Sequence, residues 1–294
     1  MKTDLLVDLA DVMDLMLNAV CVVDRDGNFV FVSAAFEQIF GYAPDEVVGK
    51  SMIDLVLPDD RPRTLGTVEA LLEGESSPHF ENRWVRKDGR VVHVLWTARW
   101  SEKYQARIAV AHDITERKLM EDRLTHMAGH DQLTNLPNRV LLQDRLLSGL
   151  AHARREQVCL SLLFIDMDGF KQVNDSYGHA VGDTLLQKIA QRLSGCVRES
   201  DTVGRLGGDE FLVLLNGISE CEHAEMIAEK IRAELGKPFE VDSLFLQLAP
   251  SIGVAHYPAH GNDEQQLIHS ADQAMYRAKK AGGNRVSVFL PATV

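Results

Sequence analysis

The hydrophobic pattern of this chain changes its period partway along, and that change narrows the folds open to it. Between residues 19 and 112 the apolar residues come in short runs split by turns. Residues 19–23 precede Asp26-Gly27 and 29–32 follow it; residues 80–85 and 91–96 flank Asp88-Gly89. Short β-rich runs joined in this way read as hairpins, and a last run at 106–112 completes a small antiparallel sheet. Ser33 is placed to cap a helix that buries Phe36, Ile39 and Phe40. Beyond residue 138 helical and strand-like stretches alternate. Helices are predicted over 138–153, 184–197, 223–235 and 263–280, and strands over 158–165, 202–206, 211–215, 245–256 and 286–289. A β-α-β-β-α-β order lies within this series, as in a ferredoxin-like or palm-type sheet. The reading is an α/β (α+β) chain of two domains, a division that suits 294 residues.

The remaining segments are connectors. Residues 1–18 carry Leu5, Leu9, Val12, Met13 and Met16 at helical spacing. The first domain is then assigned to 19–116, a linker helix to 117–128 and the second domain to 129–294. In the linker, Arg117, Met120, Leu124 and Met127 fall at a/d-like positions, suiting a short two-stranded coiled coil or, alternatively, a solvated helix. No stretch approaches the roughly 20 apolar residues of a membrane span, and the acidic start does not resemble a signal peptide, so a cytoplasmic protein is expected. The formal charge of −12 argues against a duplex DNA partner. Cys21, Cys159, Cys196 and Cys221 are scattered, without a CxxC pair, and are expected to be reduced thiols.

Chemistry concentrates in two acidic motifs. In the first, an apolar strand runs into Asp166-Met167-Asp168-Gly169-Phe170-Lys171, with the two aspartates on one face of extended chain. The glycine turn offers backbone N–H groups to a phosphate and Lys171 adds a point charge. In the second, Gly207-Gly208-Asp209-Glu210 forms the turn of a hairpin that lets backbone approach a ligand. Each motif alone is compatible with solvated surface acids. If the two strands are neighbours, Asp166 and Asp209 can share a hard cation such as magnesium, which favours one or two carboxylates plus phosphate oxygens. That points to phosphoryl or nucleotidyl transfer.

Gly207-Gly208-Asp209-Glu210-Phe211 resembles the signature of the GGDEF family of diguanylate cyclases. Segments 130–139, 170–183, 251–255 and 271–279 resemble further motifs of that family, so the likeness covers about residues 128–292. The resemblance implies a homodimer that joins two GTP molecules into cyclic di-GMP. It implies Mg2+, with Mn2+ as the alternative, held by Asp166, the Met167 carbonyl, Asp209 and Glu210. Either Asp209 or Glu210 accepts the proton of the 3′-hydroxyl. Asn174 and Asp183 read the guanine edge, a role their donors and acceptors suit. His179 lies between them and either lines the pocket or only packs. Phe170 belongs to the same nucleotide-binding segment, and Lys171 and Lys279 hold the triphosphate. The family's arginine four residues beyond Lys279 is replaced by Gly283, which predicts weaker GTP binding. Arg198 and Asp201 match the family's inhibitory product site, and a guanidinium there can pair with guanine or phosphate. The alternative is a non-catalytic cyclic di-GMP receptor, which has no need to keep the acid set intact.

Residues of about 9–116 resemble a PAS domain, through 22–27, 36–42, 45–50, Lys87-Asp88-Gly89 and His112-Asp113-Ile114-Thr115-Glu116. Its ligand is not legible in the sequence. Cys21 lies in an apolar strand, which does not fit a flavin-linked cysteine, and residues 52–75 contain no histidine for haem. A small organic ligand, or dimerisation alone, is expected, with Trp84, Trp96 and Trp100 as packing residues.

Overall fold

A computed structural model describes residues 17–72, 79–218 and 221–290. The chain divides between Arg123 and Leu124 into two compact units. In the first, the runs predicted as hairpins form strands β1 (Ala19–Asp24), β2 (Phe29–Val32), β3 (Phe80–Val85), β4 (Val91–Ser101) and β5 (Ala106–Asp113). They make one antiparallel sheet in the order β2-β1-β5-β4-β3. Its core packs Phe29, Phe36, Phe40, Trp84 and Trp96 ring against ring, with centroids between 4.4 and 6.4 Å apart. The two indole N–H groups both donate to Asn82 Oδ1 at 2.8 Å, which satisfies them away from water.

The helix Ala35–Phe40 buries Phe36, Ile39 and Phe40 as its spacing predicts, but Ser33 does not cap it. The Ser33 hydroxyl instead accepts the Val20 N–H at 2.9 Å, tying the entry of the helix to β1. At the exit of the sheet, the Ile114 N–H donates to the His93 carbonyl and the Thr115 hydroxyl accepts the His93 N–H. Asp113 accepts the Thr115 N–H at 2.8 Å. The Asp-Ile-Thr segment thus fixes the start of helix Thr115–Gly129 against β4. That helix buries none of its residues; Met120, Leu124 and Met127 are all at least half exposed. The predicted helix at 4–18 lies outside the described residues, except for Leu17 and Asn18, which form a bend.

The second unit holds β6 (Cys159–Asp168), β7 (Thr202–Gly207), β8 (Glu210–Ile218), β9 (Phe239–Val241), β10 (Leu244–Leu246), β11 (Ala249–Tyr257) and β12 (Arg285–Val288). The main sheet runs β12-β11-β6-β8-β7. The four strands β11, β6, β8 and β7 have the antiparallel ferredoxin-like order, and β12 joins parallel to β11. Alternate residues of β6 enter opposite cores. Leu163, Ile165 and Met167 pack toward helices His179–Cys196 and Cys221–Leu235. Leu160, Leu162 and Phe164 pack toward helices Arg139–Glu156 and Glu264–Lys280. Burial on both faces explains why β6 reads as an unbroken apolar run.

The strand predicted at 245–256 is divided. Asp242 takes a positive φ of 52°, so 244–246 folds back on 239–241 as a separate hairpin before β11 begins. Gly253 lets helix Glu264–Lys280 seat directly on β11, because a side chain there would collide with the Ala271 carbonyl and the Met275 N–H. Replacing Gly253 by Ala is expected to cost about 2–3 kcal/mol through overpacking and to lower Tm by roughly 5–10 °C. Calorimetry checks this; an unchanged Tm would mean that the helix rides outward without loss.

Candidate active site

β6 and β8 are neighbours, and their register sets Asp166 opposite Glu210. β6 does not stop before the acids, as the sequence suggests, but carries both Asp166 and Asp168 within the strand. Asp166 is only 7% exposed. Lys279, from helix Glu264–Lys280, reaches it with Nζ 2.5 Å from Oδ1. Burial alone would pull the Lys279 pKa down, but hydrogen bonding and charge from Asp166 leave it above the ordinary lysine value. Asp209 and Glu210 stand at the tip and exit of the β7–β8 turn, where Gly207 and Gly208 take φ of 148° and 54°. Burial raises both acids above the usual carboxylate range, and the charge of Asp166 raises them further. Arg139 opposes the effect at Glu210, while Asp272 adds to it. A cleft of about 560 Å³ opens beside Glu210, with Arg139 and Asp272 on its walls and Leu142, Phe164 and Leu212 beneath.

The hairpin tip is braced by Arg205, which no sequence motif singles out. Arg205 donates from Nε and one Nη to the Gly208 carbonyl at 2.9 and 2.7 Å, and from the other Nη to Asp131 Oδ1 at 2.9 Å. Asp131 also accepts the N–H and hydroxyl of Thr134. Burial opposes ionisation of Asp131, but these bonds and the guanidinium hold its pKa below the usual range. Arg205 and Asp131 lie 74 positions apart, so only the tertiary fold reveals the pair.

Phe170 is buried at the start of helix Phe170–Tyr177, an element that the sequence reading does not contain. The same helix presents Asn174, whose amide occupies the space a side chain on Gly182 would need; Asn174 Oδ1 is buried without a hydrogen-bond partner. Gly182 therefore brings Asn174 against the turn of helix His179–Cys196 that also carries Asp183. Asp183, His179 and Lys171 are exposed, and among the described residues their side chains make no hydrogen bond or ion pair.

Residues 128–285, more than half of the chain, match the family model described as "Diguanylate cyclase, GGDEF domain". The chain belongs to the GGDEF family. Residues 8–114 match the PAS fold. The diguanylate cyclase TpbB of Pseudomonas aeruginosa is 46% identical over 164 residues, 55% of this chain and 38% of TpbB. The diguanylate cyclase DgcM of Escherichia coli K12 is 35% identical over 266 residues, 89% of this chain and 63% of DgcM. A solved structure of TpbB comprising only its GGDEF domain superposes with a TM-score of 0.54 at 43% identity, covering 55% of this chain and 94% of that one. The chain thus spans less than two thirds of the length of these curated relatives.

Enzymes of the GGDEF class generally use a divalent metal, and the donor set here suits a hard cation. The available ligands are oxygens, and burial, with the charge of Asp166 adding to it, raises the pKa values of Asp209 and Glu210. Opposite Met167 on β11 stands Pro250, which has no N–H to donate to the Met167 carbonyl. Among the described residues no group of three or more His, Cys, Asp or Glu side chains forms a metal cage. The arrangement fits an ion held by one or two carboxylates that takes its other ligands from substrate and water.

Arg198 and Asp201 lie at the far end of β7 from the GGDEF turn, roughly 20 Å of strand away. They do not form an ion pair: Asp201 accepts the backbone N–H groups of Arg198 and Asn216, at 3.0 and 3.2 Å, and the Arg198 side chain is exposed. Gly283 has a structural reason for lacking a side chain. Its φ is 70°, and a Cβ would strike Asp168, whose carboxylate is held by the Ser251 hydroxyl and the Asn284 N–H. Restoring the family arginine with Gly283→Arg is therefore expected to lower Tm and to leave GTP affinity no better. Isothermal titration with GTP and a thermal melt check this, and tighter binding at unchanged Tm would refute it. Gly182→Ala, which displaces Asn174, is expected to weaken GTP binding about tenfold or more in the same titration.

Proposed function

We propose that the chain is a diguanylate cyclase that condenses two GTP into cyclic di-GMP and two pyrophosphates, working with Mg2+ as a homodimer. The observation that carries this reading is the convergence of Asp166, Asp209 and Glu210 at the ends of two adjacent strands. In each half-reaction a GTP 3′-oxygen bonds to the α-phosphorus of the other GTP, the bond to the β-phosphate oxygen breaks, and pyrophosphate leaves. The 3′-hydroxyl proton passes to Glu210 or Asp209, whose raised pKa values make them stronger bases than ordinary carboxylates. A bound magnesium ion would supply Lewis-acid polarisation of the phosphates, with Asp166, Asp209 and the Met167 carbonyl to hold it. Lys279 and Lys171 bring positive charge to the triphosphate, and Asn174 with Asp183 selects guanine. His179 borders that pocket.

One protomer supplies one GTP site, so two must face each other. The exposed Met120, Leu124 and Met127 supply an apolar seam for that pairing, and the PAS domain sets its population. Arg198 is the free arm of a product-binding site that limits output, with Asp201 shaping its turn.

Purified protein incubated with GTP and Mg2+ is expected to yield cyclic di-GMP, and chelation with EDTA to stop it. Glu210→Gln and Asp166→Asn are each expected to lower kcat by about 100-fold or more. Chromatographic detection of product decides. A parent protein that binds cyclic di-GMP yet makes none would establish the receptor alternative. Arg198→Ala is expected to raise the product concentration needed for half-inhibition at least about tenfold, without loss of initial rate.

A further inference from the structure

Among its described residues the first unit contains a buried cation with no counter-charge. Arg107 lies on β5 and is 7% exposed. It lines a cavity of about 50 Å³ together with Cys21, Met52, Val68, Trp84 and Trp96. Among the described residues its side chain makes one hydrogen bond, from Nη2 to the Met52 sulfur at 2.6 Å, although a guanidinium carries five N–H donors and a thioether is a weak acceptor. Among the described residues it forms no ion pair. Burial pulls its pKa below the ordinary arginine value, and Cys21 alone opposes that pull. Burial also pushes the Cys21 thiol up, so that thiol stays neutral and supplies no counter-ion.

The other polar groups of the wall are already satisfied. Asn82 donates to Thr64 and accepts both indoles. Thr64 donates to the Asp60 carbonyl and Thr67 to the Arg63 carbonyl. Among the described wall residues Arg107 is the one that carries a charge, with most of its donors unused, and a buried charge left unpaired is costly.

We infer that this cavity binds a small monocarboxylate with a short apolar tail, its head group paired with Arg107. A planar carboxylate matches the guanidinium fork. The remaining wall is apolar and aromatic and suits an alkyl tail. The volume admits about four water-sized atoms, the size of acetate, and the pocket is open on one side, where the last carbons of propionate or butyrate extend. A dicarboxylate would need a second cation, and a phosphate would turn charged oxygens toward the indoles. This site stands independently of the cyclase reading.

The chain's three tryptophans, Trp84, Trp96 and Trp100, all belong to the first unit, so their fluorescence and indole N–H resonances report on it alone. The full chain is titrated with sodium acetate, propionate and butyrate, and in parallel with 1-butanol and with sodium chloride at matched ionic strength. Saturable shifts of the Trp84 and Trp96 indole signals are expected with the acids, at least about tenfold tighter for butyrate than for 1-butanol. Arg107→Gln is expected to remove that preference, and Ala98→Leu, which fills the cavity beside an intact Arg107, to abolish binding. Butyrate binding as tight in Arg107→Gln as in the parent overturns the inference. Should Arg107→Gln fail to fold, the parent decides: an equal response to butyrate and 1-butanol, or none to any acid, overturns it equally.

Discussion

Acidic side chains are crowded and buried together at one end of the main sheet of the second unit. Burial and the charge of Asp166 disfavour the ionised form of Asp209, and burial with the charges of Asp166 and Asp209 disfavours that of Glu210, so the acids would separate if the chain allowed it. The fold does not allow it. β6 is buried on both faces and cannot slide without moving two cores, so its last residues stay where the strand puts them. The β7–β8 hairpin is fixed by register to the same edge. The packing energy of two hydrophobic layers is what keeps like charges together, and a site of crowded carboxylates is primed for cations.

Much of that site could be read from the sequence because its chemistry is local. Asp166 and Asp168 follow directly on an apolar run, and Asp209 and Glu210 follow directly on two glycines, so strand, turn and acid are contiguous. The two sheets were likewise legible from runs and turns. The rest depended on contacts between distant positions. The motif at 271–279 marks Lys279, but its ion pair with Asp166, more than 100 residues away, is legible only in the fold. Pro250 and Gly182 act through what they lack, a donor in one case and a side chain in the other. The Gly283 departure reads as a lost arginine in the sequence, yet in space it makes room for the held carboxylate of Asp168.

The first unit shows the same limit. Its aromatic residues and hairpins are plain in the sequence, and Trp84 and Trp96 pack as expected while also lining a cavity. Arg107 looks like an ordinary strand arginine, because alternation marks which residues face inward but not whether an inward charge finds a partner. Ser33 illustrates a smaller case: a residue suited to capping is drawn instead to the unsatisfied N–H of a neighbouring strand.

Arg205 joins two places that the chain itself keeps far apart. One guanidinium grips Asp131, two residues beyond helix Thr115–Gly129, and the Gly208 carbonyl beside the acids. The segment that leaves the helix and the turn that bears the chemistry are thereby coupled mechanically. Neither can be displaced without stretching the same three hydrogen bonds, so a pull at the helix end arrives at the tip within the span of a single side chain.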